Sequence, residues 1–384
     1  MARVDRLVGV DVARCLALLG MVATHVLAER DADGSLTAAQ WLAGGRASAL
    51  FAVLAGVSLA LMTGRRTPVR GRERARRSLG LAVRALLIAL LGLALGGLET
   101  GIAVILTYYG VLFLLGLPFL GLGTRPLLAI AAAWAVLGPI VSQLVRPHLP
   151  ERRFESPAFE QLSDPGLLLS ELLFTGYYPV VPWLAYVLLG LALGRADLRS
   201  QRVQARLVGA GLAAAVLATA GSRWLTTRDP VATRLLRDLP QASIEDLLDQ
   251  ISRGMYGQTP ADGSWAWLLV VAPHSSTPFD LAQTMGSAAF VLGCCLGMVG
   301  LVGRFGERAL AVFFGAGAMT LTLYTLHVLM RTERFWPAEE PDSFRWHVLV
   351  LLAVGAVFGA AGRRGPLEWL VATAGRVTAR AAGN

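Results

Sequence analysis

Apolar runs long enough to cross a bilayer recur along nearly the whole chain, each near the ~20 residues that a spanning helix needs. In hydrocarbon every backbone polar group must be satisfied within the segment, so such runs dictate helices. They fall near 7–28, 46–63, 79–98, 102–122, 126–146, 179–195, 203–224, 281–303, 309–330 and 346–362 of the 384 residues. The expected fold is all-α: one polytopic transmembrane helix bundle over 1–384, with about ten spans. Composition agrees, with 55% of residues hydrophobic and 16% charged, where a soluble chain carries about a quarter charged. The break at Glu99-Thr100-Gly101 makes the third and fourth spans a tight hairpin. Asp11 and Arg14 interrupt what would be the core of a signal peptide, and no small-residue cleavage site follows, so the first run reads as a span.

Charge placement sets the orientation. The net charge is +9, and every one of the 35 basic residues is arginine. The arginines gather at span ends rather than on one soluble face, so no nucleic-acid partner is expected. The connection after the second span carries Arg65, Arg66, Arg70, Arg72, Arg74, Arg76 and Arg77, and short basic loops stay cytoplasmic. Counting from it puts Arg3, Arg6, Arg125, Arg195, Arg199, Arg202, Arg304, Arg308, Arg363 and Arg364 on that same side, with both termini in the cytoplasm. The long connections 147–178 and 225–280 then fall outside, the second as an extracytoplasmic loop insertion. Within it Ser243-Ile244-Glu245-Asp246 signals a helix start, and Ile244, Leu247, Leu248 and Ile251 repeat at amphipathic spacing. Segment 366–382 reads as a short helix at the inner surface, with Arg376 and Arg380 toward lipid headgroups. Cys15, Cys294 and Cys295 lie in apolar runs, so no disulfide framework is indicated.

Ionisable residues inside spans are costly and mark function more often than chance. Asp11, Arg14 and His25 share one stripe of the first span, with His25 about 16 Å further along the axis than Arg14. Thr320, Tyr324 and His327 share one face of the ninth span, which suits a polar path and an interfacial Tyr/His belt equally. Pro273-His274-Ser275-Ser276-Thr277-Pro278-Phe279-Asp280 adds a histidine, three hydroxyls and a carboxylate on an outer loop. Tyr108, Tyr109, Tyr177, Tyr178 and Trp183 add aromatic polar groups at outer or middle depth. His25, His274 and His327 are thus expected on one outer side, where histidine suits proton transfer near neutral pH. His148 and His347 read as less organised. Arg14 and Arg84 lie in the inner half, and arginine binds phosphate with fixed multidentate geometry.

The run Gly9-Val10-Asp11-Val12-Ala13-Arg14-Cys15-Leu16-Ala17-Leu18-Leu19-Gly20-Met21, leading to His25, resembles the first-helix signature of heparan-α-glucosaminide N-acetyltransferase-like membrane proteins. Leu50-Phe51-Ala52-Val53-Leu54-Ala55-Gly56-Val57-Ser58 resembles the family's next block. His274 to Ala288 and Met319 to His327 look like the C-terminal block of related bacterial membrane proteins. Two departures stand out. Cys15 replaces the usual glycine, and loop 29–45 lacks the histidine that lysosomal relatives carry there.

The resemblance implies a multi-pass cell-membrane acyltransferase. It would move an acyl group, acetyl in the first instance, from cytoplasmic acyl-CoA to an extracytoplasmic sugar, glycolipid or other envelope acceptor. His25 would act as base or acyl carrier, with Asp11 and Arg14 beside it in the catalytic set. Arg84, His274, His327, Tyr109 and Tyr324 would bind substrate, the two tyrosines as oxyanion donors. The expected partners are the lipid bilayer, acyl-CoA and an envelope glycan, with no metal and with a homodimer left open. The rival reading is a transporter or flippase using the same polar stripe, against which stands the absence of an internal repeat.

Overall fold

The computed structural model describes residues 6–153, 156–239, 243–257 and 259–382. Arg3, expected on the inner side, lies outside the described residues. Among them the chain is all-helical, with no strand. In order the helices are α1 (Val8–Val26), α2 (Ala38–Ala43), α3 (Arg46–Met62), α4 (Gly71–Gly96), α5 (Leu106–Gly116), α6 (Thr124–Val145), α7 (Pro165–Ser170) and α8 (Val180–Arg195). There follow α9 (Gln201–Thr226), α10 (Asp229–Arg237), α11 (Ile244–Arg253), α12 (Pro278–Leu301), α13 (Gly303–Phe313), α14 (Thr320–Leu329), α15 (Phe344–Ala360) and α16 (Pro366–Ala381).

Six segments among the described residues are long and apolar enough to cross a membrane: α1, Ala38–Met62, α4, Thr124–His148, α9 and α12. A seventh arises if Pro165–Thr175 and α8, which meet at 54°, form one bent span. Leu106–Gly121, α14 and α15 are apolar but shorter. The ten segments expected from hydropathy therefore fall on helical chain, while six or seven have spanning length.

Small residues set how closely the helices approach, as expected where lipid supplies no hydrophobic drive between them. On the α3–α8 contact, a Cβ at Gly190 would stand 1.9 Å from the Val53 carbonyl oxygen, and one at Gly56 would stand 2.3 Å from that of Val187. Backbone meets backbone there. α1 is enclosed between α3, α12 and the tight turn Gly315–Ala318.

That turn corrects the expectation of a continuous span over 309–330. The chain breaks into α13, a 3-10 turn and α14. Gly317 allows the break, since its Cβ position is 1.7 Å from the Asp11 carbonyl oxygen.

One further expectation shifts, and two elements gain detail. α4 starts at Gly71, so Arg72, Arg74, Arg76 and Arg77 lie on its first turns rather than in a loop. There Arg77 pairs with Glu73 at 2.6 Å and donates to the Met62 carbonyl at 2.8 Å. Arg195, placed among the cytoplasmic-side arginines, is 3% exposed. Its guanidinium donates to the carbonyls of Ala60, Thr63, Arg65 and Leu120 and to Thr63 Oγ1. It adds charged donors to carbonyls at the end of α3, of which those of Ala60 and Thr63 also accept from backbone amides. α16 packs along α4, with Gly80 and Gly375 at the crossing, while Arg376 and Arg380 are exposed.

The connection 225–280 builds a small unit with its own core of Leu235, Leu247, Met255, Trp267 and Val270. α11 starts with the expected capping box: Ser243 Oγ accepts from the Asp246 amide at 3.1 Å, and Asp246 accepts from the Ser243 amide at 2.8 Å. Leu247 is buried, while Ile244 and Leu248 are exposed. Arg30 ties α11 to the segment after α1 through Asp249.

Candidate functional site

The polar residues of α1 sort to its two ends. At one end Asp11 is 6% exposed. Its Oδ2 accepts from Arg6 Nε at 2.5 Å, and its Oδ1 accepts from Arg14 Nη1 at 3.1 Å. Arg14 also donates to Ser58 Oγ of α3, which donates onward to the Leu54 carbonyl at 2.6 Å. One carboxylate thus serves two guanidiniums, leaving a net positive group with a hydroxyl at hand.

Arg84 on α4 is not part of this group. It donates to Met62 Sδ at 3.0 Å and shares its neighbourhood with Arg364, Arg376 and Glu368. Glu368 is itself occupied by the N-terminus of α14, accepting from the amides of Leu321 and Thr322. A groove of about 580 Å³, lined by Arg74, Ser78, Leu114 and Pro118 among others, opens near the start of α4. It is not beside the histidines.

The other end of α1 carries His25. Its Nδ1 lies 3.0 Å from Nε2 of His327, with the ring planes 7° apart. His327 Nδ1 lies in turn 2.9 Å from Nδ1 of His347 on α15. His347 Nε2 reaches the Pro341 carbonyl oxygen at 3.1 Å. His327 and His347 are fully buried. Arg331 donates to the same Pro341 carbonyl at 2.8 Å and to Asp342. The three histidines form a line rather than converging on one point. Among the described residues no group of three or more His, Cys, Asp or Glu could hold a metal ion.

His347 was the residue that spacing did not single out. It stands at the start of α15, just as His25 and His327 stand near the ends of their helices. Three histidines at span ends on one predicted side was the available signal. What the sequence lacks is the packing of α14 between α1 and α15.

His274 belongs to a different cluster. Its ring sits among Tyr177, Tyr178 and Trp183, at centroid distances of 5.0, 5.5 and 6.2 Å. Its Nδ1 is buried without a hydrogen-bond partner. This connection lies outside the spans, and burial among aromatic rings holds the imidazole down at about 4, which keeps it neutral. The backbone there is left-handed at both His274 and Ser276. Asp280 Oδ2 accepts from the Ser276 amide at 3.0 Å, and Trp183 Nε1 donates to Ser276 Oγ at 3.2 Å, which together fix the turn.

The two tyrosines lie deeper. Tyr109 Oη donates to the Ser48 carbonyl at 3.1 Å, so its proton is committed. Tyr324 Oη accepts from the Ile105 amide at 3.3 Å, so its proton is uncommitted by that bond. Both are buried.

The family profile described as heparan-alpha-glucosaminide N-acetyltransferase, catalytic, matches residues 6–227. This chain belongs to that family. The matched segment holds Asp11, Arg14, His25, Arg84 and Tyr109, whereas His274, Tyr324, His327 and His347 lie beyond it. The acetyltransferase segment therefore supplies His25, and the remainder of the chain supplies the side chains bonded to it. Comparison with curated proteins finds no match. With its long apolar helices, the chain is a membrane protein of an acetyltransferase family.

Proposed function

We propose that this protein is a multi-pass acyltransferase of the bacterial plasma membrane, with ten spans and both termini in the cytoplasm. It takes an acetyl group from cytoplasmic acetyl-CoA and places it on an amine or hydroxyl of an envelope glycan or glycolipid. The observation that carries this reading is the division of α1. A positive Arg14–Asp11–Arg6 group at one end is separated from a hydrogen-bonded His25 at the other by about 16 Å of one helix.

Arg14, together with the more distant Arg84, suits the phosphates of the donor. The acyl thioester, at the far end of the flexible pantetheine arm, then lies toward His25. His25 takes the proton of the acceptor nucleophile as it attacks the thioester carbon. The carbon–sulfur bond breaks, and the thiolate of CoA takes a proton from water. Tyr324, with its hydroxyl proton uncommitted, is the better placed of the two tyrosines to stabilise the oxyanion. His274 and its aromatic neighbours suit a sugar face on the acceptor side.

The test is release of CoA by purified protein given radiolabelled acetyl-CoA, with glucosamine as acceptor. Wild type should release CoA and form labelled N-acetylglucosamine, and His25→Ala should do neither. Absence of turnover in wild type sinks the enzyme reading. Full activity in His25→Ala sinks the site assignment.

A further inference from the structure

One acceptor fixes the protonation pattern of the whole histidine line. The Pro341 carbonyl can only accept, so His347 Nε2, 3.1 Å away, carries a hydrogen. In neutral His347 the Nδ1 is then a lone pair. His327 Nδ1, 2.9 Å from it, must donate, so His327 carries its hydrogen on Nδ1. Its Nε2 is in turn a lone pair, and His25 Nδ1, 3.0 Å away, must donate into it. Neutral His25 is left with its lone pair on Nε2, the one ring nitrogen of the three that no hydrogen bond engages among the described residues. Every contact in the line is used, and the pattern ends on an available base.

We infer that His327 and His347 are a proton relay, carrying the proton taken by His25 to the outer surface beside Asp342. The inference rests on the acyltransferase reading. The acceptor's N–H or O–H proton goes to His25 Nε2. His25 then passes its Nδ1 hydrogen to His327 Nε2, and His327 passes its Nδ1 hydrogen to His347 Nδ1. His347 loses its Nε2 hydrogen to water or to Asp342. Nothing is oxidised or reduced, and one proton leaves for each one taken. The line resets when the three rings turn over, restoring the starting tautomers without returning the exported proton.

The surrounding groups are few. Arg331 donates to the Pro341 carbonyl and to Asp342, placing a fixed positive charge at the outer end of the line. His274 also stands near His25. The hydrogen-bond pattern of the neutral line leaves His25 as its base. Asp342, 79% exposed at its side chain, meets bulk water. A base without such an exit would hold the proton it has taken and stall the next turnover.

Two measurements test this. The first is the ¹⁵N NMR signature of the histidines in the full-length protein in lipid, assigned with His25→Gln, His327→Gln and His347→Gln. Nδ1–H on His25 and His327 with Nε2–H on His347 is the expected result. Nε2–H on His25 overturns the wiring, whatever the enzyme's activity. The second is acetyl-CoA turnover by His347→Gln, whose amide can occupy both hydrogen bonds but passes no proton. Its kcat should fall by roughly tenfold or more with KM for acetyl-CoA unchanged. Added imidazole should restore the rate of His347→Ala in proportion to its basic form, which a lost packing contact would not produce. Wild-type kcat in His347→Gln, or no imidazole response, overturns the relay. No turnover by wild type instead defeats the acyltransferase reading, while the NMR pattern still decides the wiring.

Discussion

Asp11→Asn should cost more stability than any other isosteric change on α1. The substitution keeps the shape and removes the one carboxylate shared by Arg6 and Arg14. Breaking a buried ion pair from one side costs ~3–5 kcal/mol because a charge is left without a counterion, whereas an exposed pair contributes ~0–1 kcal/mol. Asp11 is 8% exposed at its side chain and Arg14 22%, so this pair lies toward the buried limit. Arg6, at 42%, adds little. The expected loss is ~2–3 kcal/mol, read as a shift in equilibrium unfolding in mixed micelles. Asp11→Asn/Arg14→Met should regain most of it, since apolar replacement of a buried pair is near neutral. The double variant should not regain affinity for acetyl-CoA. A single variant within ~0.5 kcal/mol of wild type would refute the burial argument. A double variant that binds donor normally would refute the role of Arg14.

Other outcomes follow from the same geometry. Gly317→Ala places a methyl 1.7 Å from the Asp11 carbonyl oxygen and should cost ~3 kcal/mol or more, seen as loss of folded protein in thermal melts. Arg195→Met should cost ~3 kcal/mol by removing the guanidinium's buried charge-assisted hydrogen bonds to the α3 end and to the Leu120 carbonyl, and Arg195→Lys should recover only part, having three donors in place of five. His274 is held near 4 when folded, against an ordinary value near 6.5. Its stabilising contribution is therefore complete above about pH 6.5, falls away as pH drops from 6.5 toward 4, and is absent below. Unfolding midpoints should show that acid dependence in wild type and lose it in His274→Phe.

Much of the architecture was legible in hydropathy because the bilayer leaves the backbone few options. The capping box at Ser243 was legible because its chemistry is local, and the Asp11–Arg14 contact followed from a three-residue spacing. What escaped was decided by backbone approach between distant segments. The chain breaks at Gly315–Ala318 where α1 passes within contact of Gly317, and no periodicity in 309–330 reports that. Arg195 looked like a cytoplasmic anchor because a sequence shows a charge and not the carbonyls around it. His347 was passed over because its partner is twenty residues away on another helix. His274, grouped with His25 and His327 by predicted depth, sits near His25 but among aromatic rings that no spacing reports.

The central claim is that one end of α1 serves a donor and the other an acceptor across the membrane. Reconstitution in vesicles with the protein in a single orientation tests it directly, with labelled acetyl-CoA on one side and glucosamine on the other. The account predicts N-acetylglucosamine when acetyl-CoA faces the Arg14 end and glucosamine the His25 end, with His25→Ala inactive. Product formed only when both substrates share one side would contradict it.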